Sequence, residues 1–134
     1  MASGFSTATR NAILTARFKT AAPVYGALCD ADPGDTGDMS GQEIAASYDY
    51  ARTACTFGSD ASSGSISNTA ALEFPVANGG AWGTISHLAI CSSATEATDD
   101  MIASGSLTAS KAIADGDQIK FAIGNVTISI ADQA

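Results

Sequence analysis

The sequence predicts an all-β protein: an antiparallel β-sandwich or jelly-roll-like barrel with a short N-terminal helix or arm. Three observations lead there: some eight short stretches of strand character, turn signals between them, and no interleaved helices after the first segment. At 134 residues the chain suits one domain that buries its own core. The expected division is an arm over residues 1–21 and a single β-sandwich domain over residues 22–134.

Ser6 or Thr7 can cap a short helix in which Ala12, Ile13 and Ala16 fall near one face and Leu14 and Phe18 form a second apolar patch. Arg10 and Arg17 lie between the patches, and Pro23 follows the helix end. Such an arm either packs over one end of the sheet or docks on a neighbouring subunit. Val24–Cys29 is the first strand, stopped by the Pro, Gly and Asp residues of 30–38. Counted as a calcium loop from Asp30, the sixth position is Asp35 and the twelfth Gly41, where an EF-hand needs Gly and Glu. What remains is a solvated acidic turn or an irregular site of Asp30, Asp32, Asp35 and Asp38.

The second half of 48–57 reads as a strand, 58–65 as a flexible turn, and 66–74, closed by Pro75, as strand again. These two segments are expected to pair as a hairpin or as neighbours. Asn78-Gly79-Gly80 is a turn signal leading into 82–91, which holds the one Trp and the one His. With period two, Thr84, Ser86, Leu88 and Ile90 point one way and Ile85, His87, Ala89 and Cys91 the other. Both faces grow apolar toward the end, as in a central strand. Residues 92–100, with Glu96, Asp99 and Asp100, read as an exposed loop. Short strands follow at 101–107, 111–113, 118–123 and 126–130, the last burying one face only.

A formal net charge of −8 with six scattered basic residues argues against nucleic acid, since phosphate binding needs clustered Lys and Arg. No apolar run is long enough to span a membrane, no basic or hydrophobic membrane anchor is evident, and Ala12–Ala16 is too short and interrupted for a cleaved signal. Cys29, Cys55 and Cys91 lack metal-ligand spacing and read as buried, inert thiols in a protein made in a reducing cytoplasm. No metal or cofactor is expected. Nor is catalysis: His87 sits inside a strand, no G-x-S-x-G elbow surrounds a serine, and no phosphate-binding glycine loop occurs. Tyr25, Tyr48, Tyr50 and Trp82 are candidates for sugar stacking, against the demand of the core for aromatics.

The series Val24-Tyr25-Gly26-Ala27-Leu28 with Asp32-Pro33, Ser47-Tyr48 with Tyr50-Ala51-Arg52, Gly64-Ser65-Ile66-Ser67-Asn68 with Phe74-Pro75, Trp82 to Ile90, and Gly105 to Lys111 with Gly116-Asp117 resembles small tailed-phage virion proteins, often labelled tail fibre or minor tail proteins. The likeness covers roughly residues 24–130 and is most specific in W-G-T-I-S-H and G-x-L-T-x-S-K. The sequence departs from that pattern at an inserted Asp49 and at Cys91-Ser92-Ser93. The resemblance implies a virion component and carries over no catalytic residues.

The leading expectation is a noncatalytic structural protein, a capsid decoration or cement protein that binds and stabilises the outer shell as an oligomer, because neither a stalk nor a coiled-coil register is evident. The alternative is a tail fibre or tail-tip module that contributes to host glycan binding. Expected partners are the major capsid protein or other virion proteins and further copies of the chain, with a homotrimer favoured by analogy to decoration proteins. The location is the virion, assembled in the host cytoplasm. Arg10, Arg17 and Lys19 are assigned to docking on the shell, and Tyr48, Tyr50 and Arg52 to a subunit interface.

Overall fold

The computed structural model describes residues 4–95 and 100–131. The all-β class with a short N-terminal helix is what they adopt: α1 (Thr7–Leu14) runs into a π-helical stretch (Thr15–Thr20), and eight strands follow. These are β1 (Val24–Cys29), β2 (Thr53–Cys55), β3 (Ser65–Ser67), β4 (Leu72–Glu73), β5 (Gly83–Cys91), β6 (Met101–Ile113), β7 (Lys120–Phe121) and β8 (Thr127–Ser129). They form one four-stranded sheet in the order β2-β1-β5-β6 and two two-stranded sheets, β3-β8 and β4-β7. The segments 48–57 and 66–74, expected to pair as a hairpin or as neighbours, share a backbone bond from the Thr69 amide to the Thr56 carbonyl, but their strands lie in different sheets. β3 reaches instead to β8, with Ile66 opposite Ile128.

The chain divides into two compact units that cut it differently from the expected 1–21 and 22–134. The first comprises the described residues of Met1–Pro23, Cys55–Leu72 and Phe121–Ala134; the second comprises those of Val24–Ala54 and Glu73–Lys120. The N-terminal segment is thus part of a unit with later strands and not a separate arm.

In the first unit Ser6 caps α1, its hydroxyl accepting from the Thr9 amide at 3.2 Å. The second apolar patch is the one that packs: Leu14 and Phe18 are buried, and Phe18 meets Phe57 at a ring separation of 5.4 Å. Arg10 is buried as well, donating to the Ile130 carbonyl at 3.0 Å and to Thr7. Gly64 is required by this approach, because a Cβ there would lie 2.4 Å from Arg10 Nη1. Asn11 and Thr15 accept from the amides of Gly64 and Ala61, fixing the helix to the turn before β3. Asn68, 1% exposed, donates to the carbonyls of Ala70 and Ala122 and accepts from the amides of Gly124 and Val126. Every hydrogen-bonding atom of that amide is used, which is what burial of a polar side chain demands.

In the second unit β5 is central, antiparallel to β1 on one side and β6 on the other. Its last four residues, Leu88 to Cys91, are all buried, and Ala89 and Cys91 join Ala27, Cys29 and Met39 in a core cluster. The small side chains of this cluster stack across the β1–β5 register, where Ala27 lies opposite Ala89. β6 was expected as two strands. It runs as one, with its register stepping from His87 opposite Ser106 to Ile85 opposite Lys111, so that Leu107–Ser110 lie opposite Ser86 alone. That excursion falls inside the G-x-L-T-x-S-K motif. A bulge and a lysine on an edge strand both discourage pairing with stray strands.

Burial raises the thiols of Cys29 and Cys91 to about 12 and that of Cys55 to about 11, from an ordinary 9.0. The folded chain therefore keeps three protons that the unfolded chain sheds above about pH 9, and the stabilisation they carry is lost as pH climbs toward those raised values. The midpoint of urea unfolding should hold up to about pH 8 and fall steadily from about pH 9 to 11. In parallel, a thiol reagent at pH 8 should label no cysteine until urea is added. Rapid labelling of the native protein at pH 8 would contradict the buried placement.

Candidate functional site

Residues 48–52 carry three of the predicted interface residues. Extended backbone would point Tyr48, Tyr50 and Arg52 to one side, at the period of two. The structure breaks this, because Tyr48 (φ 53°) and Asp49 (φ 66°) are both left-handed. Two consecutive non-glycine residues in that region are a real local cost, of order 1–3 kcal/mol each, sustained only by strong contacts around them. The result is a reversal: Tyr50 and Arg52 go inward while Tyr48 stays 47% exposed.

The inward pair is held by charge. Arg52 meets Glu43 through two parallel bonds, Nε to Oε2 at 2.9 Å and Nη2 to Oε1 at 2.6 Å, with both side chains 2% exposed. Its remaining nitrogen, Nη1, donates to Asp100 and to the carbonyls of Ser93 and Thr95 at 3.1 and 3.0 Å. Glu43 is fixed by the strand beside it, since the Ile44 amide donates to the Leu28 carbonyl at 3.1 Å. The hydrogen bonds to Glu43 hold the Arg52 pKa above its already high ordinary value, so the guanidinium is charged at any relevant pH.

Tyr50 completes the cluster. Its hydroxyl donates to Glu43 Oε2 at 2.8 Å and accepts from the Leu28 amide at 3.0 Å. Burial, followed by the charge on Glu43, pushes its pKa up and keeps it neutral. Its ring meets Trp82 edge to face at 5.4 Å and stacks with Phe74 at 6.4 Å. The Trp82 indole then donates to the Tyr48 carbonyl at 2.9 Å, which ties the reversal to the core.

Outside, the Tyr48 ring lies on the Asn78-Gly79-Gly80 turn. A Cβ at Gly80 would sit 2.6 Å from Tyr48 Cζ and 2.7 Å from both Cε atoms, so only glycine admits the ring. The Asn78 amide donates to the Tyr48 carbonyl at 3.1 Å, and Asn78 Nδ2 donates to Asp49 at 3.2 Å. Asp115 accepts from the Gly79 amide at 3.0 Å. The turn, the ring and two carboxylates form one constellation.

The six predicted interface residues thus separate. Arg10, Tyr50 and Arg52 are buried with partners in their own chain, which corrects the assignment of these three to a surface; Arg17 is half-buried. Lys19 is exposed and pairs with Asp60 at 2.7 Å, a contact worth at most about 1 kcal/mol. Only Tyr48 of the second trio faces solvent. The partners Glu43, Asp100 and Gly80 were not anticipated. Asp100 was expected in an exposed loop but its side chain is 8% exposed, while Glu96 and Asp99 of that loop lie outside the described residues. Of the other sugar-stacking candidates, Tyr25 is half-buried and Trp82 buried.

His87 is half-buried with Nδ1 2.8 Å from Ser86 Oγ, its neighbour along β5. Among the described residues no three His, Cys, Asp or Glu side chains converge as a metal group would, the Asp30–Asp38 loop included. No helix among them is long and apolar enough to cross a membrane.

With its W-G-T-I-S-H strand and bulged G-x-L-T-x-S-K edge, this β-rich chain is a phage virion protein of a fibre-type family, as a family match shows. More narrowly, the family model of the podophage GP4 fiber I protein gp80 matches residues 4–129, and the chain belongs to that family. No curated protein matches it.

Replacing Arg52 by Ala would leave the Glu43 carboxylate buried without its partner, a loss of about 3–5 kcal/mol. Combining Arg52→Met with Glu43→Leu and Asp100→Asn should recover a large part of it, because no buried charge then remains. Urea unfolding of the three proteins checks this. A single variant as stable as the parent would show that the pair is not buried.

Proposed function

We propose that this chain is a noncatalytic structural subunit of a virion fibre, which joins neighbouring copies of itself through the outward face of its N-terminal helix. The observation that carries this reading is that face. Phe5 is 58% and Ile13 40% exposed, and Ala8, Ala12 and Ala16 beside them are exposed too. A helix that leaves its apolar side in water is a docking surface. The charges suit a second copy as partner: Arg17 and Lys19, the basic residues of this segment that are not buried, precede every one of the 14 acidic residues, so the basic segment of one chain meets the acidic body of another. A homotrimer is the expected order. The family description favours a fibre over the capsid decoration protein expected from the sequence, and a capsid site would use the same helix face.

Truncating the arm is a poor test, because Arg10, Leu14 and Phe18 would leave the interior with it. Phe5→Asp with Ile13→Asp changes the surface alone. Light scattering behind a sizing column should give an oligomer for the parent and a monomer for the variant, with the same circular dichroism. A monomeric parent would sink the self-association, and imaging of intact particles would separate tail from capsid.

A further inference from the structure

We propose that the Tyr48 ring and its rim form a binding site for a neutral saccharide of the host surface. This extends the fibre reading and rests on it only for the source of the ligand.

The chain displays this ring at a conformational cost. A tyrosine of no consequence could turn into the core beside Tyr50 or extend into water. Tyr48 does neither. Two left-handed residues lift it out, the Trp82 indole and the Asn78 amide both clamp its carbonyl, and a glycine whose Cβ would penetrate the ring lets it lie flat on the turn. Strain of this kind persists where the surroundings over-determine it and clusters at ligand clamps. The ring is therefore preorganised, with one side on the Gly80 backbone and 47% of the residue open to solvent.

The rim fixes the ligand class. Asp49 accepts from Asn78 Nδ2 through Oδ2, and Asp115 accepts from the Gly79 amide through Oδ1. Each carboxylate is oriented by one bond and has its second oxygen left to accept a hydroxyl. Asn78 adds an amide oxygen, and the neighbouring turn adds Asp117, whose Oδ2 holds the Ala114 amide. Among the described residues no positive side chain is bonded into this constellation, so sialylated, uronate or phosphorylated sugars are repelled. A flat apolar face bordered by hydrogen-bond acceptors suits a neutral pyranose, which offers C–H groups on its face and hydroxyl donors at its edge. A lone ammonium would gain from the same ring and acids but would leave the flat face unused.

The test uses the full-length protein on a printed array of neutral and anionic oligosaccharides from bacterial surface polysaccharides. At least one neutral glycan should bind, with affinity reduced about tenfold or more by Tyr48→Asn and kept within about threefold by Tyr48→Phe. Asn is chosen because it tolerates the left-handed backbone. Should Tyr48→Asn fail to fold, titration of the parent with the bound neutral glycan decides the matter: the amide resonances that move should be those of Tyr48, Asn78, Gly79 and Gly80. Four results would overturn the proposal: no glycan bound, only anionic or amine-bearing probes bound, Tyr48→Asn binding as the parent does, or resonances moving elsewhere. The Phe5→Asp, Ile13→Asp variant should still bind in solution, so failure of self-association and failure of the sugar site are read separately.

Discussion

A guanidinium 2% exposed must be neutralised where it lies, and the second unit is arranged around that requirement. Arg52 draws Glu43 from the segment after the acidic loop, and Asp100 with the Ser93 and Thr95 carbonyls from the far side of β5. The bidentate geometry matters more than the raw attraction, because desolvating two charges offsets most of the Coulomb gain, and what remains is a fixed relative position. Tyr50 adds its hydroxyl to the same carboxylate and its ring to Trp82 and Phe74, so charge and aromatic packing anchor one stretch of backbone.

That anchor explains how a neighbouring pair of residues holds an unfavourable conformation. With Tyr50 and Arg52 locked inward and the Trp82 indole on the Tyr48 carbonyl, the chain between them has little freedom, and the left-handed turn at 48 and 49 is the way it closes. Buried charge is thus converted into the display of one aromatic ring. The first unit works differently: Leu14 and Phe18 bury one side of the N-terminal helix, and the other side, with Ile13 and with Phe5 just ahead of the cap, stays exposed.

The sequence was legible where a pattern is local. Strand β1 falls on its expected residues, β5 starts one residue late, and the alternation of Val126, Ile128 and Ile130 correctly marks a strand with one covered face. The Ser6 cap was among the two offered. Partners distant along the chain were not legible. Nothing near Ile66 announces that it will face Ile128, and nothing near Arg52 announces Glu43 or Asp100. Tyr48, Tyr50 and Arg52 were grouped as one interface because Tyr and Arg are typical anchors there. The inserted Asp49, noted only as a departure from the family pattern, is half of the turn that divides them. Gly80 read as turn punctuation, whereas its missing side chain is what seats the Tyr48 ring.

The reversal at Tyr48 and Asp49 lays the tyrosine ring flat over Gly80. Proton shifts report that geometry directly, since an aromatic ring displaces the resonances of protons held above its face. The Gly80 α-protons of the full-length protein should resonate well upfield of their unstructured positions, and the displacement should vanish in Tyr48→Asn. Unstructured shifts at Gly80 in the parent protein would contradict it.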